Sequence, residues 1–342
     1  MSICYLIFIK IIDECDVVKI NVSNTGFRTV LISGAGEIGS RHLQSMVSCA
    51  LPLTVYLHSD NPNSLENCQQ RWIEANGEAS PHRLRMCHDL AEVPQWIDLA
   101  IVASTSSSRL LLVEAIVKRS QVRYWLLEKV VAQNATDVER MLGQVGVKGS
   151  RSWVNYYMQA QGWYADIKSH LLPRTPKHMT VTGGAWGLAC NSLHFIHLHG
   201  WFCGSQLVSL NADKLTKAWH ESKRPDNWEI YGGLEAVFSD DGRLELLSTP
   251  GPVSYALSLT DGAYTWQIDE QRGVALRSDG FEVLGRVPYQ SERTLVEEIL
   301  IRGDCRLPTF AEIAAADQLF ISTMLNHWRQ YMDRSAQLVP IT

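Results

Sequence analysis

The stretch Thr29-Val30-Leu31-Ile32-Ser33-Gly34-Ala35-Gly36-Glu37-Ile38-Gly39 decides the fold of this chain. Its apolar, β-branched start predicts a strand, and Ser40 to Cys49 after it predicts a helix. Between the two lie three glycines at the spacing G-x-G-x-x-G. There Gly34 allows a tight turn, Gly36 lets a phosphate approach the backbone, and Gly39 lets helix and strand pack closely. Free N–H groups and the positive end of the helix dipole favour an anion at this turn.

Strands and helices continue to alternate as far as residue 155. Further strands are predicted at Leu53 to Leu57, Leu99 to Ala103, Tyr124 to Leu127 and Ser152 to Asn155, with a helix at Leu110 to Arg119. This alternation predicts a parallel sheet covered by helices on both faces, a Rossmann domain. In that setting the glycine turn indicates a dinucleotide cofactor, NAD or NADP. The alternative is a Rossmann-like domain that no longer binds nucleotide.

The residues predicted to contact the cofactor follow the strand ends. A ribose contact requires an acidic residue about 20 positions after the glycines. Leu57 is instead followed by His58-Ser59-Asp60, which places Asp60 one position late and has no arginine beside it to hold a 2′-phosphate. We therefore favour NAD over NADP. The contacts predicted from position are Gly34, Ala35, Gly36, Glu37, Ile38, Gly39, Ser59, Ser104 and Thr105.

The second half of the chain has a different pattern. Strands are predicted at Met179 to Gly184 and near 229–238, 242–248, 253–260, 263–268, 273–277 and 281–286. The turns Asp240-Asp241-Gly242, Asp261-Gly262 and Ser278-Asp279-Gly280 indicate antiparallel hairpins. A helix is predicted at Thr309 to Met332. These elements predict an α+β domain with a largely antiparallel open sheet.

The predicted α/β architecture divides the 342 residues into three parts. Residues 1–27 form an N-terminal extension, either an added strand or a loosely held segment. Residues 28–155 form the Rossmann domain, and residues 156–342 the α+β domain. The apolar run Met1 to Ile12 is too short to span a membrane, which takes about 20 residues. It also lacks the basic start and the small-residue cleavage site of a secretory signal.

Charge and cysteine usage narrow the choice of partners and compartment. The net charge is -5 and Lys and Arg form no block, which argues against nucleic acid as a partner, because phosphate binding needs clustered cations. The 8 cysteines include no CxxC pair, so neither a zinc ribbon nor a thioredoxin-type motif is indicated. Scattered thiols beside a nucleotide-binding fold favour a reducing compartment. We expect a cytoplasmic protein with no membrane partner.

Three stretches together resemble the Gfo/Idh/MocA family, named after glucose–fructose oxidoreductase and inositol dehydrogenase. They are the glycine turn extended to His42, then Leu126-Leu127-Glu128-Lys129-Val130, and Gly183-Gly184 followed by Cys190-Asn191-Ser192-Leu193-His194-Phe195-Ile196-His197. The resemblance covers nearly the whole chain, residues 29–332. It implies an NAD(P)-dependent oxidoreductase that acts on sugars, cyclitols or nucleotide-linked sugars. The open sheet of the family often makes dimer contacts, so we expect a homo-oligomer, either a dimer or a tetramer.

The resemblance also implies roles for single residues. Lys129 would lie between nicotinamide and substrate, with Glu128 beside the cofactor, and its ammonium would bond to the reacting hydroxyl. His194 matches the catalytic histidine of the family and would accept the hydroxyl proton, a role usually worth about 10²–10⁴ in rate. The implied substrate contacts are Asn155, Tyr157, Asn191 and His197.

Three positions depart from the family pattern. Val130 replaces a proline that is often cis, so the loop that carries Lys129 is expected to have a different shape. Cys190 replaces an aspartate, and a thiol with an ordinary pKa of about 8.5 does not substitute for a carboxylate. His197 replaces a second aspartate and shares a helix face with His194. No nearby carboxylate or cysteine set completes a metal site there, so no metal is predicted.

The leading hypothesis is therefore a sugar or nucleotide-sugar dehydrogenase or reductase. The Cys-Asn-Ser-x-His variant and the closing Pro340-Ile341-Thr342 resemble a branch of the family associated with surface-polysaccharide biosynthesis. The altered motif leaves open an alternative, a catalytically degenerate regulator or assembly subunit that binds nucleotide. A third possibility is a reaction that uses tightly held, recycled NAD.

Overall fold

The computed structural model describes residues 26–285 and 291–342. Residues 1–25 of the predicted extension lie outside the described residues. The first sheet consists of β1 (Arg28–Ser33), β2 (Leu53–His58), β3 (Arg83–Cys87), β4 (Trp96–Val102), β5 (Gln121–Leu127) and β6 (Arg151–Val154). Its order is β3-β2-β1-β4-β5-β6, and every neighbouring pair is parallel. The strand order reverses between β1 and β4, which opens a crevice at their carboxyl ends.

Helices cover both faces of this sheet, as predicted. They are α1 (Glu37–Met46), α2 (Pro62–Glu74), α3 (Ser106–Arg119) and α4 (Ala135–Val145). Side chains of β1 alternate between two apolar cores. Val30 and Ile32 join the core that contains Leu43 of α1, whereas Leu31 joins the core that contains Val113 of α3. A strand buried on both faces explains why the β1 sequence is a continuous apolar run.

The second sheet is mixed and mostly antiparallel. Its strands are β7 (His178–Gly184), β8 (Leu207–Glu221), β9 (Trp228–Phe238), β10 (Arg243–Thr249), β11 (Ser254–Thr260), β12 (Thr265–Asp269), β13 (Val274–Arg277) and β14 (Glu282–Leu284). They lie in the order β14-β13-β12-β11-β7-β10-β9-β8, and only the β7–β10 pair among them is parallel. The predicted fold class is confirmed: a parallel α/β sheet is followed by a largely antiparallel sheet with helices.

Four helices follow the Rossmann strands along the chain: α5 (Gly162–Ser169), α6 (Leu188–Cys203), α7 (Ser291–Arg302) and α8 (Phe310–Tyr331). The chain returns to the first sheet after β14, because Leu295 and Ile299 of α7 pack in the same core as Leu43. Thr309, just before α8, forms a bridge with Trp153 of β6. In the ranges described, no helix combines the length and the apolar character that crossing a membrane requires.

The sequence patterns missed several elements, for identifiable reasons. Strand β8 is a sheet edge with three shifts of register against β9, and most of its side chains are exposed, so its apolar alternation is weak. Helices α2 and α4 begin at Asn61 and Asn134, whose side chains accept a hydrogen bond from the first turn. An asparagine at the N-cap position is a sequence signal for the start of a helix, and it could have predicted both α2 and α4.

Candidate functional site

The glycine turn after β1 is built by close backbone packing. Gly34 has φ +110°, and a Cβ there would lie 2.6 Å from the Ser104 backbone nitrogen. A Cβ on Gly39 would lie 1.8 Å from the Gly34 carbonyl oxygen. Only glycine fits at either position. A Cβ on Gly36 would meet nothing within 4 Å, so open space lies before the start of α1.

The start of α1 matches the requirements of a phosphate. Gly36 occupies the N-cap position, and within the described residues no side chain caps the helix there. The carboxylate of Glu37 is paired with Arg71 at 2.7 Å and Arg41 at 3.2 Å. The hydrogen bond from Arg71 lowers the pKa of Glu37, and its charge is offset by both arginines. The backbone of Ala35 and Ile38 completes the turn.

The end of β2 places three polar residues beside the same crevice. The Nδ1 atom of His58 shares a hydrogen bond with the Ser33 hydroxyl at 2.9 Å, and burial lowers the pKa of this histidine. Ser59 is buried, and its hydroxyl accepts from the Asn61 amide at 3.2 Å. Asp60 between them is exposed. Asp60 is therefore the carboxylate that this strand end presents to solvent.

The hydroxyl-rich loop after β4 lies against the glycine turn through the Ala103–Ser104 peptide. Thr105 is exposed and precedes α3, but its own side chain does not cap that helix. The Ser106 amide instead donates to the Thr342 hydroxyl at 3.2 Å, and the Ser106 hydroxyl donates to the Ile341 carbonyl at 2.5 Å. The end of the chain is thereby bound to the loop that carries Ser104 and Thr105.

Glu128 ends β5 in a buried, hydrogen-bonded position. Its Oε1 atom accepts from His42 Nε2 and from Asn155 Nδ2, each at 2.8 Å. Burial alone would raise the pKa of Glu128, but the hydrogen bonds from His42 and Asn155 and the nearby charge of Arg109 lower it overall. Glu128 is therefore an anion at neutral pH, and Asn155 is directed at that anion.

Lys129 follows at the edge of the crevice and is half-buried. Its Nζ donates to the Cys190 carbonyl at 3.1 Å and to Asn191 Oδ1 at 3.2 Å. The Lys129–Val130 peptide bond is cis. The two contacts join the β5 loop to the first turn of α6.

His194 lies on α6 between two tyrosines. The ring centroids are 5.7 Å apart for Tyr156 and 5.0 Å apart for Tyr157, both edge-on. Burial, and then the charges of Lys129 and His197, hold the pKa of His194 well below its usual value. His194 is therefore a neutral imidazole at neutral pH. Lys129, Tyr157, Asn191 and His194 thus gather where α6 faces the crevice.

His197 is turned away from this group towards α8. Its Nε2 lies 2.7 Å from Asp317 Oδ1, and the Tyr156 hydroxyl donates to Asp317 Oδ2 at 2.8 Å. His199 lies elsewhere, with its Nε2 3.4 Å from the Cys203 sulfur. Within the part of the chain that the structure describes, no three His, Cys, Asp or Glu side chains gather as ligands for a metal.

Neither a protein-family model nor a curated protein sequence matches the chain. Solved structures do match. Among them are oxidoreductases of the Gfo/Idh/MocA type, which share the fold of this chain. A myo-inositol dehydrogenase from Lactobacillus casei, in complex with NAD(H) and myo-inositol, is 12% identical over 90% of this chain and 96% of its own, with TM-score 0.64.

Two further structures have the same fold. UDP-N-acetylglucosamine 3-dehydrogenase GnnA from Acidithiobacillus ferrooxidans is 11% identical over 87% of this chain and 95% of its own, with TM-score 0.64. A super-repressor mutant of Gal80p from Saccharomyces cerevisiae is 12% identical over 88% and 96%, with TM-score 0.67. At such identity the likeness concerns the fold, which therefore includes dehydrogenases and a repressor.

The fold also brings three residues to the site that the sequence analysis missed. Arg109 of α3 is buried, and its guanidinium donates to the carbonyls of Ser104 and Val130. Burial lowers its pKa to about 10, so it remains a cation at neutral pH. Glu229 of β9 accepts from the Ala189 and Cys190 amides at 2.8 and 3.2 Å. Asp317 is the third.

For two of these three residues the sequence does contain an indication. Arg109 and Asp317 interrupt otherwise apolar helix faces, and a lone charge on such a face is informative because it needs a buried partner. No sequence pattern near Glu229 indicates its role, because it lies on strand β9 and caps the start of α6, which is distant in sequence. The neighbouring Cys190 is a neutral thiol, because burial raises its pKa to about 12.

Proposed function

We propose that this chain is an NAD(P)-dependent oxidoreductase that moves hydride to or from a carbon of a sugar or nucleotide sugar. The observation that carries the proposal is the contact of Lys129, at the carboxyl end of β5, with the first turn of α6, the helix that carries His194. Open crevices at this edge are where α/β sheets bind ligands. The dehydrogenases of the same fold support the reaction class.

The cofactor is proposed to lie along residues 34–39, with its pyrophosphate in the open space before α1. Ser59, Ser104 and Thr105 would contact the ribose and nicotinamide side, and Glu128 and Lys129 the far end of the crevice. We propose NAD, because Asp60 is the exposed carboxylate at the β2 end. When bound, the nicotinamide supplies the hydride donor or acceptor.

Proton transfer is assigned to Lys129 and His194. An ammonium has three donors, and Lys129 uses two of them on Cys190 and Asn191, which leaves one for a substrate hydroxyl. His194 can accept the hydroxyl proton because its low pKa keeps it neutral. Loss of hydride from the substrate carbon and loss of the hydroxyl proton together give a carbonyl.

The remaining predicted substrate contacts divide into two pairs. Tyr157 and Asn191 are partly exposed at the crevice, and we propose that they touch the substrate. Asn155 and His197 are buried; Asn155 Nδ2 binds Glu128, and His197 Nε2 binds Asp317. We propose that these two support the site through their partners.

Domain roles follow from the same proposal. Residues 28–155 would bind the cofactor, and residues 156–342 would hold the substrate and contact a second copy of the chain. Exposed Leu247 and Leu276 on the open face of the second sheet support a homo-oligomer. A cytoplasmic step of surface-polysaccharide biosynthesis is the proposed setting.

A second candidate function is a nucleotide-binding regulator without hydride transfer. The Gal80p repressor of the same fold and the neutral Cys190 thiol in the site favour it. The deciding experiment is absorbance of the reduced nicotinamide, recorded with NAD and NADP against a panel of sugars, cyclitols and nucleotide sugars. Hydride transfer on one class supports the enzyme. Tight NAD binding with no transfer on any member supports the regulator.

A further inference from the structure

Asp317 on α8 is a fully buried carboxylate with two donors. The Tyr156 hydroxyl lies 2.8 Å from Oδ2, and His197 Nε2 lies 2.7 Å from Oδ1. The three residues come from the loop after β6, from α6 and from α8. An ionised carboxylate only accepts hydrogen bonds, so His197 carries its hydrogen on Nε2. Burial, and then the Asp317 charge, raise the pKa of Tyr156, so the phenol keeps its proton.

This network lies directly behind His194. The Tyr156 ring packs at 4.2 Å from His197 and at 5.7 Å from His194, while Tyr157 contacts the other side of His194. The Nδ1 atom of His194 is buried and has no hydrogen-bond partner among the described residues. No hydrogen bond through Nδ1 therefore fixes the ring, and its orientation depends on the packing of these tyrosines.

We propose that Asp317 is a positioning residue for His194, acting through the Tyr156 ring and through His197. The inference rests on the proposed function, in which His194 accepts a proton. The titratable groups around His194 are Lys129, His197, Tyr156 and Tyr157, and Asp317 fixes two of them. A purely structural need would be met more simply by an apolar side chain, because α8 is apolar around this position and buried carboxylates are costly.

Two substitutions of Asp317 test whether its hydrogen bonds to Tyr156 and His197 matter. Asp317→Asn can keep both bonds, and Asp317→Ala removes them. In Asp317→Asn the amide oxygen can accept from Tyr156 and the amide nitrogen can donate to His197, once His197 carries its hydrogen on Nδ1. Both partners therefore remain held, and we expect kcat within about threefold of the wild type. Asp317→Ala can form a hydrogen bond with neither Tyr156 nor His197. We expect its kcat to fall about 10- to 100-fold, since small displacements of a catalytic group have effects of that size.

The KM for NAD should stay within about twofold in both variants, because Asp317 and its two partners, Tyr156 and His197, are not among the proposed cofactor contacts. The second readout is the imidazole spectrum of His194 by nuclear magnetic resonance, assigned with His194→Gln. In the wild type and Asp317→Asn the ring should remain neutral down to mildly acidic pH. In Asp317→Ala the pKa of His194 should rise towards about 6.5, as water reaches the loosened ring.

Tyr156→Phe keeps the ring and removes only its hydroxyl, so it serves if Asp317→Ala does not fold. Its matched control is Tyr164→Phe, which removes another buried hydroxyl that donates to a carboxylate, Glu270, outside the Asp317 network. Tyr156→Phe should raise the pKa of His194 and Tyr164→Phe should not. An unchanged pKa of His194 in Asp317→Ala or Tyr156→Phe overturns the positioning role. If the wild type transfers no hydride, the proposed function is wrong. The nuclear magnetic resonance spectrum of His194 would still test whether Asp317 positions that ring.

Discussion

The glycine turn and the α6 side of the crevice differ in how far their partners lie along the sequence. At the turn, Gly39 packs on Gly34 five positions away, and Ser104 from the neighbouring strand end completes the packing. On the α6 side, His197 and Asp317 are 120 positions apart and Lys129 and Asn191 are 62 apart. The sequence motif of the turn is local, although its packing partner Ser104 lies 70 positions from Gly34, whereas the contacts named on the α6 side form only when distant elements have docked.

This difference determines how mutations on the two sides should behave. Changes at the turn should alter cofactor affinity, because the backbone conformation of the turn forms the proposed pyrophosphate site. Changes on the α6 side should alter turnover, the pH response and stability, because buried polar groups there depend on one another.

The largest expected effect lies on the α6 side. Lys129→Ala removes the donor proposed to bind the substrate hydroxyl, and kcat should fall about 10³-fold. Lys118→Ala, at an exposed lysine of α3, is the control and should turn over like the wild type. Turnover that survives Lys129→Ala would remove this residue from the mechanism.

The contrast between the two sides also explains what the sequence could predict. The strand, three glycines and helix identify the turn because each feature is local. Lys129 and His194 were found through motif resemblance, and the fold brings both to one edge. Arg109, Glu229 and Asp317 were missed because their partners are set by tertiary packing.

A methyl group at Gly36 should weaken cofactor binding without changing the stability of the fold. Gly36 has an ordinary extended conformation, and a Cβ there meets nothing within 4 Å, so Gly36→Ala should unfold at the wild-type temperature. The same methyl enters the space proposed for the pyrophosphate, and the Kd for NAD should rise about 30-fold, or about 2 kcal/mol. Calorimetric titration measures it. Unchanged affinity would place the cofactor elsewhere.

Buried histidines on α6 should make stability fall in acid. Burial lowers the pKa of His199 to about 4, below its ordinary value of 6.5. Below about pH 6.5 the unfolded chain binds a proton that the folded chain does not, so stability decreases as pH falls. From neutral pH to about pH 5 this histidine should remove about 2 kcal/mol. Urea unfolding at the two pH values measures the loss.

His199→Gln should flatten that pH dependence, and the control His88→Gln, at an exposed histidine, should leave it intact. A slope in His199→Gln as steep as that of the wild type would assign the acid sensitivity to other groups. His194 shares the direction of this shift, so it should supply the remaining slope.

The smallest expected effect tests whether the start of α6 depends on a distant strand as its geometry indicates. Glu229 accepts from the first amides of α6, a capping contact of the kind worth about 1 kcal/mol. Glu229→Ala should lower the free energy of unfolding by about that amount, whereas Glu229→Gln, which keeps one acceptor oxygen, should lose less. Glu245→Ala, at an exposed glutamate of β10, is the control. If all three variants unfold alike, water replaces the cap, and the α6 start is as local a structure as the glycine turn.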